Sequence, residues 1–174
     1  NSFVKCNIKS IRFEASCINS LDFLGFFNSL TAIKLISHSE LTIKKSLLTE
    51  ITELETIKLK SKNLILEDNC FSQLKKLSFV IIECEKCFNY RGKLPFNFTN
   101  RLFFGCQNLK SFKYIEGENL SRSEKVELSE KCFFDIKSLE EIEMNANDIN
   151  IGNSCFCGLK RLEKVTIYGK NVTI

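Results

Sequence analysis

Residues 153–174 read NSCFCGLKRLEKVTIYGKNVTI, and residues 132–151 read CFFDIKSLEEIEMNANDINI. Sliding the first back by 23 positions lays Phe156 on Phe133, Leu159 on Ile136, Leu162 on Leu139, Val165 on Ile142 and Ile167 on Met144. The match runs on, with Val172 on Ile149 and Ile174 on Ile151. Within each segment the apolar spacing is first three, then two, then two again after a polar break. A ladder of coincident positions with this changing rhythm marks a repeat, and a fixed period of 20–50 residues marks a solenoid or related array.

The template continues upstream. Phe71, Leu74, Leu77, Val80 and Ile82 repeat it, as do Leu48, Ile51, Leu54, Ile57 and Leu59. Phe103, Cys106, Leu109, Phe112 and Tyr114 supply another unit, and Leu24, Phe27, Leu30, Ile33 and Leu35 another, with one extra residue before Leu41. Ile8, Ile11 and Phe13 give a partial first unit. Insertions follow Ile82 (ECEKCFNYRGKLP) and Tyr114 (IEGENLSRSEK). The reading is a single domain of about seven units, near 1–20, 21–43, 44–66, 67–98, 99–128, 129–151 and 152–174, cut from a longer array.

Each unit reads physically as one circuit of a coil. The step of two predicts a short strand with alternate residues inward. The second pair predicts a shorter strand on another side, and the step of three suits a helical or 3₁₀ return. No unit can bury its apolar side alone, whereas stacked neighbours can.

The units resemble leucine-rich repeats of the BspA-like (Treponema pallidum-type) class, on Ile151-Gly152, Phe156, Leu162, Val165 and Ile167 of the last unit and on Cys106 within FFGCQNL. The resemblance implies an α/β solenoid. That is a right-handed superhelix with a parallel β-sheet on the main-strand face, and short helical or 3₁₀ turns plus short strands on the other sides. It also implies a non-enzymatic protein-binding or adhesion module at the cell surface or in secreted form, with a host or matrix protein as partner. The alternatives are a cytoplasmic scaffold for an intracellular partner and a structural spacer with no ligand of its own.

The repeat register predicts an outward column Arg12, Lys34, Lys58, Ile81, Lys113, Glu143 and Thr166, with Ile36, Lys60, Glu83, Ile115 and Tyr168 on one side and Thr56, Phe79, Glu141 and Lys164 on the other. The predicted partner-binding residues are Lys34, Ile36, Lys58, Lys60, Phe79, Ile81, Lys113 and Ile115. They centre on Phe79 and Ile81, with the lysines steering an acidic partner. The bland alternative is a solvated strand face.

The remaining signals carry less. A net charge of +4 without a clustered basic stripe argues against nucleic acid, and no apolar run approaches the roughly 20 residues of a membrane helix. Nine cysteines do not close a disulfide framework. Cys84 and Cys87 are expected in a loop, free or locally bridged, while Cys70, Cys132 and Cys155 share one repeat position and are expected as stacked, buried thiols. A zinc site needs four ligands, and with His38 the one histidine, placed in a polar SHSE turn, neither metal, cofactor nor catalytic site is expected. Sequons at Asn97, Asn119 and Asn171 are candidate glycosylation sites, all expected exposed and off the main face.

Overall fold

Alternation of apolar and polar residues puts every second side chain of a strand on one face, and the chain uses that face to line the inside of a coil. The computed structural model describes residues 7–89, 96–99, 101–117 and 125–174. Seven strands form one parallel sheet in the order β1 (Ser10–Ala15), β2 (Ala32–Ile43), β3 (Thr56–Leu66), β4 (Phe79–Asn89), β6 (Ser111–Glu116), β8 (Glu141–Asn145) and β10 (Lys164–Tyr168). A second parallel sheet holds β5 (Phe96–Phe98), β7 (Lys125–Leu128), β9 (Asp148–Ile151) and β11 (Asn171–Thr173). Each main strand pairs with its counterpart one repeat away, so the architecture is a parallel β-solenoid of about six turns.

One hydrogen bond recurs at the start of every main strand after the first. The backbone N–H of Thr31 donates to Lys9, Glu55 to Thr31, Ser78 to Glu55, Lys110 to Ser78, Glu140 to Lys110 and Glu163 to Glu140, all at 2.8–2.9 Å. This chain of bonds carries the register from repeat to repeat, across both insertions. Inside the coil, the main strands contribute pairs such as Ile33/Leu35, Ile57/Leu59, Val80/Ile82, Phe112/Tyr114 and Ile142/Met144, all buried. Leu41/Ile43, Leu64/Leu66, Val126/Leu128 and Ile149/Ile151 close the second side. On the return side, Phe71, Phe103, Phe133 and Phe156 stack at centroid separations of 5.6, 6.1 and 6.3 Å with their planes within 15° of parallel.

The return side departs from the expectation of helical turns throughout. A one-turn 3₁₀ helix (Asp22–Phe26) and a short helix α1 (Lys45–Thr49) occur in two early repeats, and the four later returns are hydrogen-bonded turns. Left-handed backbone explains the difference: Asn69, Gln73, Gly105, Lys131, Asp135, Ser154 and Gly158 all have positive φ, which a right-handed helix cannot absorb.

Two further expectations change at the corner between the sides. β2, β3 and β4 run through it unbroken, for 12, 11 and 11 residues. The extra residue before Leu41 is absorbed by a bulge between Ser37 and Glu40, so His38 lies within β2, exposed, and not in a turn. β4 likewise carries Cys84 opposite Ser61 and Cys87 opposite Leu64. Both cysteines are buried strand residues, and the insertion begins later than expected. The corner can bend because small side chains satisfy the backbone there. Buried Ser37 donates its hydroxyl to the Glu40 carbonyl, and buried Ser61 donates to Asn63, each at 2.7 Å. Leaving such carbonyls unpaired would cost about 1–3 kcal/mol apiece.

Candidate protein-docking face

Parallel pairing in register stacks equivalent residues, so the outward side of the main sheet consists of columns. One runs Arg12, Lys34, Lys58, Ile81, Lys113, Glu143, Thr166. Flanking it are Glu14, Ile36, Lys60, Glu83, Ile115, Asn145, Tyr168 and Ser10, Ala32, Thr56, Phe79, Ser111, Glu141, Lys164. β4, the middle strand of seven, brings Phe79 and Ile81 to the centre of this face. Phe79 is 46% exposed between the short side chains of Thr56 and Ser111, and Ile81 is half-buried between Lys58 and Lys113.

The charges are more self-satisfied than the composition of the columns implies. Lys60 Nζ lies 3.1 Å from Glu83, Lys113 Nζ 2.7 Å from Glu143 and Lys164 Nζ 2.7 Å from Glu141. Glu141 holds the Lys164 ammonium above its ordinary pKa range, while hydrogen bonding from Arg12 holds the Glu14 carboxyl below its own. Lys34 and Lys58 have no carboxylate within ion-pair distance among the described residues, so the free basic character narrows to these two.

Ile36 needs a correction. It occupies the predicted outward column but is only 7% exposed. The bend of β2 begins directly after it, and it sits with His38, Lys60 and Glu83 in a cleft of about 360 Å³ at the corner, which Ile115 also lines. A second hollow of about 350 Å³ runs over Lys34, Ile36, Lys58, Lys60 and Ile81. The two share Ile36, Lys60 and Glu83 as lining residues, so apolar and charged side chains together wall a shallow trough over this part of the face. A flat strand surface would not have produced it.

The family described as BspA type leucine-rich repeat region, in six copies, matches residues 1–94 and 85–174. The chain belongs to the BspA-type leucine-rich repeat family. Neither the curated proteins nor the solved structures compared with the chain gave a match. The Ile-Gly step of the BspA-type pattern has a clear cause here. Gly152 N–H donates to Leu128 O at 2.7 Å, and a Cβ on Gly152 would meet the backbone of residues 128–130 at 2.6–2.7 Å. Only glycine permits that approach.

Six of the eight described thiols of this BspA-type solenoid are buried in its core, while Cys17 and Cys157 are exposed. Cys70, Cys132 and Cys155 are buried at their common repeat position, as the register predicts, and all eight described cysteines are free. Cys84 and Cys87 are core residues as well, and the Cys84 thiol faces the Tyr114 hydroxyl at 3.7 Å. Burial pushes the Cys70 and Cys87 thiols upward, whereas a hydrogen bond from Cys132 holds Cys155 below its ordinary range. Among the described residues no three His, Cys, Asp or Glu side chains are grouped to hold a metal.

Of the sequons, Asn171 is exposed on β11, with its amide donating to Asp148. Asn97 is only half-exposed because β5 packs beside β4. Its side-chain oxygen is buried and has no hydrogen-bond partner among the described residues. Asn119 lies outside the described residues.

Proposed function

We propose that the main-strand face is a protein-docking surface centred on Phe79 and Ile81, with Lys34 and Lys58 steering the approach of an acidic partner. The exposed Phe79 on the middle strand carries this reading. Burying a large apolar side chain against a partner is worth about 1.5–3 kcal/mol, and interface anchors are typically aromatic and central. Lys60 and Lys113 contribute less, since each already faces a carboxylate and exposed pairs are worth only about 0–1 kcal/mol. Ile36 and Ile115 shape the trough.

Repeat modules of this kind take protein partners, and the class has a habit of surface display. We therefore read the partner as a host-surface or matrix protein and the module as cell-surface or secreted; the exposed Asn171 sequon is in keeping with that. No helix among the described residues is long and apolar enough to cross a membrane. The test is capture from matrix and cell-surface protein fractions, against cytosolic protein, by the chain and by its Phe79→Ser/Ile81→Ser variant. The variant should keep its thermal midpoint within a few degrees and lose capture by tenfold or more. Equal capture by both overturns the reading. Lys34→Ala/Lys58→Ala should mainly slow association and flatten its salt dependence.

A further inference from the structure

A second feature lies away from the main-strand face, on the return side. Phe104 and Phe134 occupy the same position in successive repeats and are 63% and 52% exposed. Neither ring stacks on another ring among the described residues, although the phenylalanines beside them in sequence, Phe103 and Phe133, do. The two open rings border a cavity of about 500 Å³ that Gln73, Arg101, Gln107 and Asp135 also line.

Left-handed backbone, which the return turns also show at Asn69, Lys131 and Ser154, takes part in shaping this cavity. One position of the return turn is left-handed in four successive repeats: Gln73 (φ 67), Gly105 (φ 82), Asp135 (φ 64) and Gly158 (φ 80). Glycine adopts this conformation freely, whereas a side chain there costs about 1–2 kcal/mol, somewhat less for Asp. Gln73, Gly105 and Asp135 all line the cavity, and the two that are not glycine put polar side chains there. Gly105 between them has the same left-handed backbone, which glycine adopts without strain, and the Gln73 amide lies close over it, 2.8 Å from where a Cβ would stand. At Gln73 and Asp135 the left-handed backbone brings polar side chains to the hollow.

The chemistry of the walls selects the occupant. The Arg101 guanidinium and the two glutamine NH₂ groups donate, while the Asp135 carboxylate and the glutamine oxygens accept. Asp135 shares one oxygen with Lys137 at 3.2 Å. Opposite charges leave the hollow without a strong sign, so a neutral ligand that donates and accepts at many points fits better than an ion. The two phenyl faces ask for an apolar C–H surface on that same ligand. Hydroxyls around the rim and C–H bonds on the face describe a pyranose ring. We propose that this cavity binds a sugar residue, with Phe104 and Phe134 stacking on it and Gln73, Arg101 and Asp135 bonding its hydroxyls.

The test uses methyl glycosides of glucose, galactose, mannose, fucose and N-acetylglucosamine as probes, read by saturation-transfer NMR. At least one should receive saturation, and Phe104→Ala and Phe134→Ala should each weaken its binding tenfold or more. Asp135→Gly is the decisive variant: it should raise the denaturation midpoint by relieving the backbone while weakening glycoside binding. Binding unchanged in Asp135→Gly and Phe104→Ala, or no transfer to any glycoside, overturns the proposal. A glycoprotein carrying the binding sugar separates free from displayed glycan. With Phe79→Ser/Ile81→Ser in place to silence the main-strand face, capture lost on enzymatic deglycosylation supports the site, and capture that survives it means a polypeptide ligand and overturns it.

Discussion

At the residue scale, Gly152 shows how the coil is closed. Its N–H reaches the Leu128 carbonyl only because nothing stands on its Cα. Gly152→Ala forces a methyl against backbone atoms that cannot move aside as a side chain would, and it should destabilise the chain by about 1–3 kcal/mol. Urea unfolding checks this; an unchanged midpoint would mean that residues 128–130 shift without cost. The outward columns were legible residue by residue, since parallel register follows from the repeat itself. Ile36 was not, because its burial comes from a bend and a bulge three-dimensionally close to it, and neither alters the apolar period. The pairing of Lys60 and Lys113 was equally hidden. Charge counts show how many lysines a face carries but not which carboxylate each one meets on the next strand.

At the element scale, the return segments illustrate a degeneracy in the apolar pattern. Spacing of three brings Phe, Leu and Leu to the same inner wall whether the segment is a helical turn, as at Lys45–Thr49, or a series of tight turns with left-handed corners. The wall was therefore readable and the backbone conformation was not. The phenylalanine stack is what the elements share. Phe103 touches Phe71 and Phe133 along the stack and Phe112 across the core at 5.2 Å. Phe103→Ala should cost about 3–5 kcal/mol, measured by chemical denaturation. In a solenoid each repeat leans on its nearest neighbours, so hydrogen-exchange protection should fall first in β4, β6 and β8. Uniform loss over all strands would contradict that coupling. The strand lengths at the corner belong to this scale too: Ser37, Ser61 and Cys84 let β2–β4 run on, which moved the CEKC motif from an expected loop into the core.

At the scale of the whole molecule, the core is a single column of apolar side chains that also holds the titratable thiols. Burial pushes Cys106 from 9.0 up to about 12 and drives the Cys70, Cys87 and Cys132 thiols and the Tyr114 phenol the same way. Folded-state values raised in this direction leave stability intact below about pH 9. They remove it between about 9 and 12, as the unfolded chain releases protons that the fold retains. Urea midpoints at about pH 8 and about pH 10.5 should differ, with the alkaline one lower; equal midpoints would mean that these thiols ionise in place. The amino-acid sequence alone determined the repeat, its register, the inner walls of the repeats stacked on both sides and the membership of the outward columns, because a 23-residue period is a one-dimensional property that stacking converts directly into contacts; in the first and last repeats Phe13, Val165, Val172 and Ile174 share the pattern and are exposed. Tertiary structure alone decided the left-handed returns, the continuous corner strands, the paired lysines and the aromatic hollow of Phe104 and Phe134. Each of these depends on which atoms of neighbouring repeats meet in space, and the same apolar pattern is compatible with more than one such meeting.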